Sequence, residues 1–264
     1  MIQESVFGII KDFSMIKKKR NAIEWLEFEI LQDIPGITHA IFLKHGGVSE
    51  GPYFSLNAGT TSGDDPWLVG RNREKIREIL GVPLIMGKMS HGTNISFIPL
   101  ENLDLLENCD GVITKQKNMG LMITHADCQA AFFVDPCRRV IANIHCGWRG
   151  NVQNIYAKAI DYLQKKMGCH PEDLLVGISP SLGPDAAQFI NFEAEFPKEF
   201  WDFQIKPMYF NLWEISRMQL IDAGILPHHI EIAGICTYSH PEDFFSYRRE
   251  KLSGRHASVI AIKT

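Results

Sequence analysis

Apolar residues recur along this chain in two rhythms, and the rhythms separate helices from strands. Asp65-Pro66 offers an N-cap and a first helical residue for a helix carrying Leu68, Val69, Ile76 and Ile79, with Gly81 and Pro83 ending it. A second helix is predicted from Asn151, with Ile155, Ala159, Ile160, Leu163 and Met167 on one face and a stop at Gly168. A third, over 211–224, turns Leu212, Ile215, Met218 and Ile221 inward. Between them, short runs rich in Val, Ile or Phe at 37–43, 121–124, 130–135, 140–144, 174–178, 230–235 and 258–262 read as strands. This interleaving is the pattern of an αβ protein built from layered sheets and helices, with strand order left open.

A chain of 264 residues can form one large domain or two small ones. No Ser/Gly linker, low-complexity tract or repeat period divides it, so a single unit over 1–264 is expected, with 1–24 as an N-terminal extension. Hydrophobic residues make up 45% and charged residues 22%, enough apolar matter for a sizeable core. The net charge of -4 provides no overall basic field for nucleic acid or an anionic membrane, and the basic run at 17–20 reads as a solvated face. No stretch reaches the roughly 18 apolar residues of a membrane span. Glu4 and Asp12 interrupt the first twenty residues, which form neither a signal nor a transit peptide, so a cytoplasmic protein is expected. The six cysteines, at 109, 128, 137, 146, 169 and 236, then read as reduced thiols, mostly small buried hydrophobes.

The most informative segment is THADCQAAFFVDPCRRVIANIHCGWRG, residues 124–150. Two apolar runs flank the turn sequence Asp135-Pro136-Cys137-Arg138. A hairpin centred there with Asp135 facing Arg138 places Cys128 opposite His145, with α-carbons roughly 4.5 to 5.5 Å apart. A thiolate and an imidazole at that spacing can share one metal ion. Pro at the turn fits type I better than the primed turns of two-residue hairpins, so a longer loop that shifts the register is the alternative. A third ligand is required, and the candidate is His91 in the polar loop Lys88-Met89-Ser90-His91-Gly92-Thr93-Asn94. Three ligands of mixed N and S type leave a fourth position open, as in a catalytic zinc site.

Neighbouring residues carry two readings each. Asp127 is either a proton shuttle beside the metal or a turn carboxylate capping backbone amides. Arg149, with Gly147, Gly150 and the helix start at Asn151, makes an anion pocket suited to phosphate, or else pairs with a carboxylate while the glycines turn the chain. Cys128 with His145 as its base would also serve a metal-free cysteine hydrolase.

These segments resemble the YfiH-like family of laccase-domain proteins, long called multicopper polyphenol oxidases and also described as purine nucleoside phosphorylases. The resemblance runs through HGGVSEGPYFSLNAG at 45–59, SGDDPWLVGRNREKI at 62–76, THADC, IHCGWRG, ISPSLGP at 178–184, CTYSHPEDFFSYRRE at 236–250 and GRHASVIAI at 254–262. It implies a mixed α/β fold with central packed β-sheets and helices outside. It implies metal ligands at His91, Cys128 and His145, holding zinc or copper. The implied activities are phosphorolysis of adenosine, inosine and methylthioadenosine with adenosine deamination, copper-dependent polyphenol oxidation, or editing of peptidoglycan precursors as a metal-dependent amidase. The implied partners are a small nucleoside and phosphate, in a monomer or small homo-oligomer. Asn57 is assigned a base or ribose contact on this footing, and Arg248, with Arg249 beside it, a charge for phosphate. The chain departs from the family pattern in having Met89-Ser90 before His91, Lys44 before His45, Asp185 after Pro184, and Cys146 after His145. None of these removes a ligand, and Cys146 adds a further soft donor.

A laccase needs several coppers and therefore many clustered histidines, whereas the ten histidines here supply one compact ligand group. A single open-site ion beside an anion pocket suits attack on a nucleoside better. A non-enzymatic protein clipped by its metal is the remaining alternative.

Overall fold

In the computed structural model, residues 15–98 and 106–264 are described, so the reading of Glu4 and Asp12 falls outside them. The strands are β1 (Ile16–Arg20), β2 (Ile23–Glu27), β3 (Ile37–Phe42), β4 (Leu84–Met86), β5 (Ile95–Phe97), β6 (Gly111–Thr114) and β7 (Met119–His125). They continue with β8 (Gln129–Asp135), β9 (Val140–Cys146), β10 (Leu175–Ile178), β11 (Gln204–Lys206), β12 (Tyr209–Phe210), β13 (Ile230–Ile232) and β14 (His256–Ile262). The helices are α1 (Pro66–Leu80), α2 (Trp148–Val152), α3 (Ile155–Met167), α4 (Phe192–Glu195), α5 (Leu212–Asp222) and α6 (Tyr247–Glu250). Two six-stranded mixed sheets, ordered β1-β2-β3-β14-β7-β4 and β13-β10-β8-β9-β6-β5, carry the architecture.

Side-chain alternation along the strands stacks these elements into four layers. Phe132 and Val134 of β8 enter one cluster with Ile41, Leu121 and Ile260 of the facing sheet. Their neighbours Ala131 and Phe133 point the other way, against Ala159, Ile160 and Leu163 of α3 and Leu220 of α5. On the far side of the first sheet, Ala40, Phe42 and Val259 pack on Ile76 and Leu80 of α1. Strands β7, β8, β9 and β14 are therefore buried on both faces, which is why they read as apolar runs rather than alternating ones. Burying a side chain such as Phe132 contributes on the order of 2 to 3 kcal/mol. Asn143 ties the sheets together, its Nδ2 donating to the carbonyls of Leu121 and Ser258, each at 2.9 Å.

The helix punctuation acts as the sequence indicates, with local differences. Asp65 caps α1 by accepting from the Trp67 N–H at 2.8 Å, and Gly81 ends it at φ +68°. Its buried face is Val69, Asn72, Ile76 and Leu80, so Leu68 and Ile79 flank the stripe. The helix predicted from Asn151 is instead two. Asn154 adopts φ +52° and accepts from the Ala157 N–H, which breaks α2 from α3. In α5, Leu220 is buried and Ile221 exposed, because the helix turns Ser216 and Gln219 inward with Leu220. Residues 16–24, the end of the expected extension, are part of the first sheet. Lys17 and Lys19 on its edge strand pair with Glu24, a charged edge that discourages further strand addition. No helix of the described residues is long and apolar enough to cross a membrane.

Candidate active site

The β8–β9 hairpin pairs Asp135 with Val140 and Ala130 with His145. This corrects the expected facing of Cys128 and His145. Pro136 does not suit a two-residue primed turn, so the connection lengthens to residues 136–139. Arg138 donates its N–H to Asp135 Oδ1 at 2.8 Å, and Arg139 takes φ +55°. Cys128 falls just beyond the end of β8, yet still reaches His145. The ligand atoms of His91, Cys128 and His145 lie within 4.8 Å of one another. An ion bound at about 2.0 to 2.3 Å separates its ligand atoms by about 3.5 Å, so small side-chain adjustments complete the shell.

A buried carboxylate absent from the sequence reading organises this group. Asp110, immediately ahead of β6, is 1% exposed. Its Oδ1 lies 2.9 Å from His145 Nδ1 and accepts the His91 N–H at 2.9 Å. Its Oδ2 accepts from Ser90 Oγ at 2.8 Å and from the Gly92 N–H at 2.9 Å. The loop is thus folded around one carboxylate, with His91 at φ +59°. With Nδ1 engaged, His145 has Nε2 available for an ion, the usual arrangement for a ligating histidine. A carboxylate directly before an apolar strand, in the short Asn108-Cys109-Asp110-Gly111 stretch, was the available signal.

Electrostatics prepare the thiol. Burial opposes ionisation of Cys128, but the adjacent His145 and His91 outweigh it and bring the thiol down to about 6. Burial likewise opposes protonation of His145, but Cys128 and Asp110 raise it to about 9. Despite burial, hydrogen bonds from His145, Gly92 and Ser90 hold Asp110 well below the usual carboxylate range. The thiolate, the form that binds metal, is therefore favoured.

A bound ion also has room. A Cβ added at Gly147 would sit 2.9 Å from Cys128 Sγ and 3.4 Å from His91 Cδ2. Only hydrogen at this position lets the two side chains close over the strand end. Two imidazoles, a thiol and this cradle fit a zinc-type or copper ion. Cys146 does not join them: it is buried in the core beneath α3, and its thiol is raised by that burial.

The group opens onto a cavity of about 560 Å³, within the range of small-molecule sites. Arg149, Arg248, Lys251 and Arg255 also line it. Arg149 is exposed, its guanidinium 4.3 Å from the Trp148 ring centroid. Arg248 spends Nη1 on the carbonyls of Ala186 (3.2 Å) and Gln188 (2.8 Å). Arg249 is turned away and ties together the carbonyls of Thr237, Tyr238 and Phe244. Burial lowers the Arg255 pKa, against the attraction of Cys128 and Asp127. Sequence reasoning had passed over Arg255, Lys251 and Asp110.

Asp127 lines the same cavity at φ +73°, but it also ties loops together. Its Oδ1 accepts from Thr237 Oγ1 at 2.7 Å and its Oδ2 from the Arg248 N–H at 2.6 Å. His125 fixes the turn from beneath, with Nδ1 2.8 Å from the Cys128 carbonyl and Nε2 2.8 Å from Ser258 Oγ. Asn57 requires a correction. It is 0% exposed, and its amide is held by Gly59, Ser62, Asp64 and Arg255, so it supports the wall instead of meeting a base or ribose.

Comparison with known proteins places this geometry. The family described as multi-copper polyphenol oxidoreductase laccase matches residues 38–263. A purine nucleoside phosphorylase of Bacteroides thetaiotaomicron is 32% identical over 94% of this chain and 98% of its own. One from Haemophilus influenzae is 31% identical over 86% and 96%. The crystal structure of YlmD from Geobacillus stearothermophilus superimposes with a TM-score of 0.86 at 27% identity, covering 95% of this chain and 100% of that one. The YfiH protein of Bacillus licheniformis gives 0.85 at 26%, over 94% and 99%. With the family match spanning most of its length, this chain belongs to the YfiH-like laccase-domain family.

Proposed function

We propose that this protein is a zinc-dependent purine nucleoside phosphorylase acting on adenosine, inosine and methylthioadenosine, with adenosine deamination as a second activity. One observation carries the reading: the His91, Cys128 and His145 donors share a cavity with four cationic side chains. Relatives near 30% identity that bear the name purine nucleoside phosphorylase support the same reaction class. A zinc ion held by these three residues would supply Lewis acidity toward a reacting oxygen.

The chain's own residues supply the rest. Arg149 and Arg248 draw phosphate into the cavity and add positive charge around it. Asp127 keeps acceptor capacity beyond its two hydrogen bonds and is assigned the proton transfer that accompanies release of the base or the amine. Cavity walls from Trp148, Leu212 and Phe189 give an apolar face to the purine. Copper remains compatible with the donor set, but polyphenol oxidation needs a larger cluster. Among the described residues the other grouping is Glu24, His45 and Asp243, where Lys17 already pairs with both carboxylates.

Incubating the zinc-loaded protein with adenosine, with and without phosphate, tests the reading. Phosphate-dependent release of adenine, together with slower formation of inosine, is expected. Absence of both free base and inosine overturns it.

A further inference from the structure

We infer that Arg255 grips the phosphate co-substrate, and that Asn57 and Gly59 aim it. The inference rests on the phosphorylase reading and assigns one of its substrates a specific side chain.

The four cations of the cavity are not equivalent. Arg149 and Lys251 are exposed, and Arg248 is largely engaged with backbone carbonyls. Arg255 is half-buried. Its Nη1 donates to the carbonyls of Ser253 at 2.6 Å and Gly254 at 2.9 Å, which fixes the plane of the guanidinium. Among the described residues no carboxylate forms an ion pair with it, and Nε and Nη2 find no acceptor. Cys128 and Asp127 attract this guanidinium without touching it, so its free planar edge stays available and matches the oxygens of phosphate.

The chain invests several residues in this placement. Asn57 Oδ1 accepts the Arg255 backbone N–H at 2.8 Å and the Gly59 N–H at 3.0 Å. Asn57 Nδ2 is itself anchored by Ser62 Oγ and Asp64 Oδ2, each at 2.9 Å. Asn72 Nδ2 holds the Asn57 carbonyl at 2.9 Å, and the Ala58 N–H donates to the Arg255 carbonyl at 2.9 Å. A Cβ at Gly59 would lie 2.6 Å from Arg255 Cγ and 2.8 Å from its Cβ, so only glycine lets the arginine stem pass. The SLNAG segment and the Gly-Arg-His segment two hundred residues later thus meet to aim one side chain.

The same oxyanion chemistry could come from inorganic phosphate or from the 5′-phosphate of a nucleotide, and we commit to the former. The test compares wild type with Arg255→Ala, Arg255→Lys and Gly59→Ala, after equal zinc content and cooperative unfolding have been verified. With adenosine as substrate, Arg255→Ala should raise KM for phosphate tenfold or more and change KM for adenosine less than twofold. Arg255→Lys should recover part of that loss, and Gly59→Ala should reproduce it by displacing the stem. Direct calorimetric titration with inorganic phosphate gives a second readout that needs no turnover. An unchanged KM and unchanged phosphate affinity in Arg255→Ala overturn the inference. So does weakened binding of adenosine 5′-monophosphate with inorganic phosphate unaffected. If wild type shows no phosphorolysis, the phosphorylase reading fails, while loss of phosphate binding in Arg255→Ala still upholds the role of Arg255 as an anion ligand.

Discussion

Asp110 Oδ1 lies 2.9 Å from Nδ1 of His145, and both side chains are almost wholly buried. The same oxygen accepts the backbone N–H of His91, so one carboxylate orients one proposed ligand and shapes the loop that presents another. Asp110→Asn keeps the shape and removes the charge. It should weaken zinc binding about 10- to 100-fold, the usual cost of losing such a partner. Competition with a chromophoric chelator measures this, and unaltered affinity contradicts the role given to Asp110.

Gly147 is needed for space and not for its backbone angles, since its φ is -86°. Gly147→Ala should therefore leave the hairpin folded but push Cys128 and His91 apart. Zinc affinity should fall at least about as far as in Asp110→Asn, with far-UV circular dichroism unchanged. Full zinc retention in the variant would show that the cradle has slack that the geometry denies.

Chelation separates a catalytic centre from a structural clip. The core clusters between the sheets and beneath the helices do not pass through His91, Cys128 or His145. Zinc-free protein should still unfold cooperatively, yet lose phosphorolysis, and stoichiometric zinc should restore it. Collapse of the fold on chelation would favour the clip.

Two buried histidines away from the centre make stability fall in acid. His39 Nε2 accepts the Phe28 N–H and His256 Nε2 accepts the Phe245 N–H, each at 2.7 Å, so both rings are neutral. Burial lowers each to about 4. In the unfolded chain they titrate near 6.5. Unfolding therefore takes up protons below that pH. The stabilisation is complete above about pH 6.5 and is lost as pH falls toward 4, at up to about 2.7 kcal/mol per pH unit for the pair. Urea midpoints measured from pH 7 to 4.5 should decline over this window; a flat profile down to pH 5 contradicts the assignment.

Much of this was legible in the sequence, for identifiable reasons. Strands buried on both faces, such as β8 and β9, announce themselves as apolar runs, and Asp65-Pro66 and Gly81 punctuate α1 unmistakably. The three-residue strands β4 and β5 leave too short a pattern to read. The hairpin register slipped because Pro136 excludes the tight turn that centring on 135–138 assumes. His91, Cys128 and His145 come close together in spite of that shift, since side chains at a strand end can reach across it. Asp110 and Arg255 escaped notice because each acts through partners far away in the chain: 35 residues separate Asp110 from His145, and 198 separate Arg255 from Asn57. Asn57 drew attention within its motif for a substrate role, whereas the fold uses it to hold a wall.

The convergence of three side chains on one ion is tested most directly by metal analysis of protein loaded with zinc and then desalted, wild type beside Cys128→Ser. Wild type should retain about one zinc per chain, and Cys128→Ser, folded to the same extent, should retain little. A metal-free wild type, or a Cys128→Ser variant with a full equivalent, would contradict the centre described.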